Sequence, residues 1–209
     1  MTPLHLAAMF QSSVKVVRML LEAGANVNAL DSYQSSALHL ALDQRRRESV
    51  KDKVVKVVRV LIEAGADVNA VESRRIGGRS PLHLCLGLMG NPEAVPILLE
   101  AGARPNVLSE MQYSPLFLAA QHGFRYLQLE NGTYDRSTIV FNDGYKTAIA
   151  ALMAAGADPY LGTSPLTFTI INGDMKAYIS SLTTTTTTST TTTRTTTTTE
   201  SSWYKRWFG

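Results

Sequence analysis

Apolar residues recur along this chain at the three- and four-residue spacing of helices, in short bursts rather than long stripes. Leu4, Ala7 and Ala8 stand at i, i+3 and i+4, and a wider stripe of Val16, Val17, Leu20 and Leu21 follows. Thr2-Pro3 opens the first burst with a hydroxyl able to accept an orphan backbone N–H and a proline whose missing donor costs nothing at the first helical position. Gly24 closes the second, because a residue just past a helix end must take the left-handed conformation that satisfies the last carbonyls. Ala25-Asn26-Val27-Asn28 then reads as a turn. The pattern predicts two short helices and a turn.

That pattern returns. Thr2-Pro3-Leu4-His5-Leu6-Ala7-Ala8 is echoed by Ser36-Ala37-Leu38-His39-Leu40-Ala41-Leu42, by Ser80-Pro81-Leu82-His83-Leu84-Cys85-Leu86, by Ser114-Pro115-Leu116-Phe117-Leu118-Ala119-Ala120 and by Ser164-Pro165-Leu166-Thr167-Phe168. The closing segment Leu20-Leu21-Glu22-Ala23-Gly24-Ala25 returns at Leu61 to Ala66, Leu98 to Ala103 and Leu152 to Ala157. A helix pair this short has no interior of its own, so its apolar stripe must be covered by the next pair, and stacking follows.

These openings and closures resemble the ankyrin repeat, a unit of about 33 residues with one β-turn, two helices and a Thr-Pro-Leu-His-x-Ala opening. The resemblance implies an all-α solenoid of four full repeats plus a partial C-terminal one, with units at about 1–34, 35–78, 79–112, 113–162 and 163–182. It also implies hairpin-like fingers projecting from a helical body, with partners gripped by finger tips and by the concave face of the first helices. Carrying those contact positions over gives Ser32, Tyr33, Arg74, Arg75, Arg79, Glu110, Met111 and Tyr113 on the fingers. Met9, Phe10, Asp43, Gln44, Leu88 and Gln121 fall at the ends of the first helices. The implied function is that of a non-enzymatic adaptor or scaffold with a protein partner. The alternative is an ankyrin fragment of a larger enzyme or regulatory protein whose other domain lies outside this chain.

The departures from the pattern are informative. The openings are spaced by 34, 44, 34 and 50 residues, so the second and fourth units are lengthened. The extra residues of the second fall on the charged stretch Asp43 to Lys53, those of the fourth on about Tyr126 to Tyr145. Within the latter, Asn131-Gly132 between Tyr126–Glu130 and Thr133-Tyr134 resembles a hairpin with a type I′ turn. Gln34 and Gln112 stand where the family has a finger glycine, which predicts an altered or strained turn. Pro96 predicts a kink or a late helix start. Only 9 positions separate Gly156 from Pro165, against 13 from Gly24 to Ala37, so the fourth finger is expected to be truncated. The chain opens on a regular first helix with no polar cap before it, whereas Asn172 to Leu182 resembles a polar terminal helix.

Composition sets the limits. Residues 183–199 are 15 threonines, one serine and one arginine, which cannot bury enough surface to offset ordering, so 183–209 is expected to be a disordered Thr-rich tail after a solenoid at 1–182. The 20 Lys and Arg against 17 Asp and Glu leave a net charge of +3, too dispersed to demand nucleic acid. With one cysteine, no run of 18 apolar residues and no leader-like opening, a cytoplasmic or nuclear protein is expected, with no membrane span. Trp203 to Phe208 gathers four aromatics and two cations, a pattern that fits a partner or membrane-interface anchor as well as an incidental end.

Chemistry is sparse. His5, His39 and His83 recur at one position of successive units, which points to a shared structural bond back to the Thr or Ser at the helix start rather than to a metal. His122 has no ligand-type neighbour at metal spacing. Cys85 replaces a small packed alanine and has no partner to lower its pKa. Arg45-Arg46-Arg47 is interleaved with acids and reads as a solvated loop, and Asn131-Gly132-Thr133 as a plain turn. No catalytic residue, metal, cofactor or small-molecule substrate is expected.

Overall fold

The computed structural model describes residues 1–10, 14–43, 51–87, 90–128, 134–159 and 161–162. The helices pair in chain order: α1 (Pro3–Met9) with α2 (Val14–Glu22), α3 (Ala37–Leu42) with α4 (Lys51–Glu63), α5 (Pro81–Cys85) with α6 (Val95–Glu100), and α7 (Pro115–His122) with α8 (Asp143–Ala154). α1 packs on α3, α3 on α5 and α5 on α7, while α2 packs on α4 and α6 on α8. The result is a two-layered helical stack.

Sequence logic is visible at each helix end. Thr2, Ser36, Ser80 and Ser114 are extended N-caps, three of them followed by proline at the first turn. Gly24, Gly65, Gly102 and Gly156 take φ of +84°, +85°, +88° and +82°, a region closed to most side chains. That conformation lets Gly24 donate to the Leu21 carbonyl and Ala25 to that of Leu20 at 2.9 and 3.0 Å, which closes the helix end. Between them, Leu4, Leu38, Leu82 and Leu116 occupy one repeating buried position, and Leu61, Leu98 and Leu152 another. One continuous apolar cluster therefore threads all four pairs. Full burial of each such leucine is worth about 2 kcal/mol relative to exposure.

A second repeating device ties pair to pair at the surface. The Asn28 side chain donates to the Gly65 carbonyl at 2.9 Å and accepts from the Asp67 amide at 2.8 Å. Asn69 makes the same two bonds to Gly102 and Arg104, and Asn106 to Gly156 and Asp158. Each asparagine thus clasps the turn that ends the following pair.

Several expectations are settled here. Pro96 delays its helix: a 3₁₀ turn at Pro92–Ala94 precedes α6, which carries Pro96 in its first turn. The fourth-pair insertion does contain a hairpin. Its strands β1 (Phe124–Gln128) and β2 (Tyr134–Phe141) run antiparallel, with Phe124 opposite Phe141 and a bulge between Tyr126 and Leu127. The stack itself is all-helical, as expected, and the strands belong to an insert between α7 and α8: a long insert between packed helices must satisfy its own backbone groups, and pairing with itself does so. The Asn142 amide closes the base of the hairpin on the Gly123 carbonyl at 2.9 Å. Asn131-Gly132, the expected turn, lies outside the described residues.

The second-unit insertion lengthens a helix, one of the two forms open to it, and needs correction only in its extent. It is not confined to Asp43–Lys53. Ala37 to Gly65 spans 28 positions against 21 from Pro3 to Gly24, and Gly65 to Pro81 spans 16 against 13, so the finger is longer as well. The first part goes partly into α4, which has 13 residues against 9 in α2. Arg45-Arg46-Arg47, the partial fifth unit at 163–182, the threonine tract and Trp203 to Phe208 lie outside the described residues.

A candidate partner-binding groove

Three of the four first helices, α1, α3 and α5, are each joined to the finger after them by a histidine. The Thr2 backbone N–H donates to His5 Nδ1 at 2.9 Å, and the corresponding bonds from Ser36 to His39 and from Ser80 to His83 are both 3.2 Å. Because Nδ1 accepts, the ring proton sits on Nε2, which donates to a carbonyl of the finger. The acceptors are Ser35, Ala70 and Tyr113, at 3.1, 3.1 and 2.9 Å. His39 faces the carbonyls of both arms of its finger, Ala70 and Arg79, and His83 likewise faces Tyr113 and Val107. The structural bond expected at the helix starts is therefore present, with a second bond that sequence reasoning did not foresee.

This arrangement needs a neutral ring. Burial pushes the His83 imidazole down to about 4, and the nearby Arg79 charge acts in the same direction, outweighing the carbonyls that favour the charged form. Burial also lowers His39 and, more exposed, His122. Burial raises the Cys85 thiol, whose Sγ–H donates to the Leu82 carbonyl, so Cys85 is an inert core group. Gly90 passes so near the Cys85 carbonyl that an added Cβ would sit 2.3 Å from its oxygen.

The fingers are held in three different ways. In the first, Asp31 Oδ1 accepts from the Tyr33 and Ser35 amides at 2.8 and 2.9 Å, and Gln34 takes φ of +60°. In the third, Ser109 Oγ accepts from the Tyr113 amide and Gln112 takes φ of +61°. Both glutamines are thus in the left-handed region, the strained turn the sequence predicted. The enlarged second finger replaces this device with a 3₁₀ turn at Arg74–Ile76 and an ion pair between buried Glu72 and Arg79 at its base. Neighbouring fingers are linked by the Ser73 amide on the Tyr33 carbonyl at 2.7 Å and the Glu110 amide on the Gly77 carbonyl at 2.9 Å.

Two adjoining hollows lie between the fingers and the first helices. The smaller, about 360 Å³, is lined by Met9, Tyr33, Asp31, Glu72 and Leu40 among others. The larger, about 520 Å³, is lined by His83, Leu84, Met111, Tyr113 and His122 among others. Asp43, Ile76 and Arg79 line both, so they form the ridge that joins the hollows into one groove.

Of the carried-over residues, Met9, Tyr33, Asp43, Arg79, Met111 and Tyr113 line this groove. Ser32, Arg75 and Glu110 are exposed on the fingers without lining it, and Phe10 and Gln121 are exposed at the ends of α1 and α7. Arg74 begins the 3₁₀ turn. Gln44 and Leu88 lie outside the described residues. Ile76, Glu72 and His122 were missed as wall residues, and the 16-against-13 spacing of the second finger was the signal for the first two. Tyr113 is fixed by stacking at 4.8 Å on Phe117, which occupies the histidine position of α7. Among the described residues no group of three or more His, Cys, Asp or Glu is placed to hold a metal ion. None of their helices is long and apolar enough to cross a membrane.

Comparison with known proteins agrees with this architecture. A family model described as ankyrin repeats (3 copies) matches residues 1–72, and one described as ankyrin repeat matches residues 77–110. The chain is also similar to the nuclear factor NF-kappa-B p105 subunit of Gallus gallus, with 32% identity over 174 residues, or 77% of this chain. It spans 17% of the length of that relative.

Proposed function

Since the chain belongs to the ankyrin repeat family, whose repeats are protein-interaction modules, we propose that it is a non-enzymatic adaptor that grips a protein partner in the groove between its fingers and first helices. The reading takes residues 1–182 as one stack and the remainder as a tail. The observation that supports it best is the open groove walled by successive fingers, flanked by exposed Tyr33, Arg75 and Met111. Aromatic, methionine and arginine side chains dominate interface energetics, and these three are free of the packing that holds the stack together. Tyr113 lines the groove as well, but its stacking on Phe117 makes it a poor probe, because its removal would also loosen the third finger.

The test is affinity capture from native cell extract with the intact chain beside a Tyr33→Ala, Arg75→Ala, Met111→Ala variant, with folding checked by circular dichroism. A protein retained by the first and lost from the folded variant supports the adaptor reading. Identical captured sets would remove the groove as the binding surface.

A further inference from the structure

Charge and shape in the groove select a chemistry for its occupant. Among the described residues lining it, Asp31, Asp43 and Glu72 are acidic and Arg79 is basic, three carboxylates against one guanidinium. Arg79 is engaged by Glu72, and the lining histidines His39, His83 and His122, lowered by burial, bring no compensating charge at neutral pH. The smaller hollow adds the ring of exposed Tyr33, and the larger one an apolar wall of Ile76, Leu84, Met111, Tyr113 and Leu118. A ligand matched to both hollows carries cations beside aromatic side chains. The sequence holds a dense cluster of that kind at Trp203-Tyr204-Lys205-Arg206-Trp207-Phe208, four aromatics and two cations with no acid.

The path of the chain favours the same occupant. The described part of the stack ends at Gly162, where an added Cβ would collide with the Gln112 carbonyl oxygen and the Leu108 side chain. The chain therefore departs against the third finger, whose Met111 and Tyr113 wall the larger hollow. The 40 residues from 163 to 202 lie between Gly162 and Trp203, and at about 3.3 Å each they reach up to about 130 Å. Four helix pairs at intervals of about 10 Å span about 40 Å, so the whole groove is within reach. We propose that Trp203–Phe208 is the resident occupant of the groove, with Lys205 and Arg206 toward the acidic wall and the flanking aromatics on Tyr33, Met111 and Tyr113. This rests on the reading of the groove as a protein-binding surface, and it makes the segment a competitor that a partner must displace. Linkage in one chain favours the contact: at an effective concentration of about 0.1 mM, a contact with Kd of about 10 μM is formed about nine-tenths of the time.

The chain carries its own probe, because its 2 tryptophans, Trp203 and Trp207, both lie in the segment and tryptophan emission reports on it alone. Quenching of that emission by acrylamide is measured on the 209-residue chain and on a synthetic peptide of residues 200–209. Two variants of the full chain are measured beside them, with folding checked by circular dichroism. One is Lys205→Glu with Arg206→Glu, outside the helical stack, and the other is Tyr33→Ala, Asp43→Asn and Met111→Ala in the groove. The expected result is quenching about fivefold weaker in the parent chain than in the peptide, unchanged on dilution, and peptide-like in both variants. Peptide-like quenching in the parent overturns the proposal. So does protection that survives in either folded variant, which places the segment elsewhere, and protection lost on dilution, which assigns it to a second copy. No partner enters this measurement, so exposed tryptophans would remove this occupant and leave capture from extract to decide the groove itself.

Discussion

Replacing His83 by phenylalanine, which the fourth pair already carries at this position as Phe117, should uncouple the stability of the stack from mild acid. In the folded chain His83 Nδ1 accepts from Ser80 while Nε2–H donates to Tyr113, so an added proton on Nδ1 faces a donor inside a dry site. The folded pKa is about 4, against 6.5 for a free imidazole. As pH falls through 6.5 the unfolded chain takes up the proton first, which draws the equilibrium toward unfolding until the folded form also protonates near 4. The full gap is worth about 3 kcal/mol, of which about 2 kcal/mol is lost between pH 7 and pH 5. The variant gives up the ring's hydrogen bonds to Ser80 and Tyr113 and should be less stable than the parent at pH 7 by about 1–3 kcal/mol. It should lose about 2 kcal/mol less than the parent on acidification to pH 5, because it has no proton to gain there. Urea unfolding at pH 7, 6 and 5, followed by circular dichroism, reads both effects. The parent midpoint should fall by about 1 M more than that of the variant between pH 7 and pH 5. Parallel losses in the two proteins would refute the assignment of acid sensitivity to His83.

Further outcomes follow from the same bonds. Gln34→Gly and Gln112→Gly should each raise stability by about 0.5–1 kcal/mol by relieving φ near +60°, measured as an increase in urea midpoint. Asn69→Ala removes the bonds to Gly102 and from Arg104, and should cost about 1–2 kcal/mol while speeding hydrogen exchange at the Arg104 amide. Cys85 should resist alkylation by iodoacetamide in the folded chain and react at the unfolding rate, so modification as fast as that of a free thiol would contradict its burial.

Much of this was legible because a helix pair repeats its chemistry locally. Thr2-Pro3 and Gly24 announce where helices start and stop through bonds made within a few residues, and that local geometry recurs from one pair to the next. The left-handed turns at Gln34 and Gln112 and the late start imposed by Pro96 were legible for the same reason. The histidines showed half of their role. The bond to the helix start is three residues away in sequence, whereas the finger carbonyl lies about thirty residues on and leaves no local trace. The groove was harder still. Its ridge residue Arg79 was picked as a finger position, but its pairing with Glu72 depends on a three-residue enlargement of the finger that the total spacing hid inside a longer insertion. Phe10 is carried over as a position at the end of the first helix, yet it is exposed there and does not line the groove.

The asparagine clasps also bear on how such a gene can grow. The segments they close differ widely in contour length: Asn28 reaches a glycine 37 residues on, Asn69 one 33 residues on and Asn106 one 50 residues on, yet all three donate across 2.9–3.0 Å. Chain added between the two helices of a pair is looped outward and leaves the rise from one clasp to the next untouched, since closing a longer loop costs little extra entropy. Insertions at those sites are therefore silent to the stack, and the β1–β2 hairpin already occupies one of them. A reporter domain spliced into that hairpin would report from the side of the solenoid without altering its pitch.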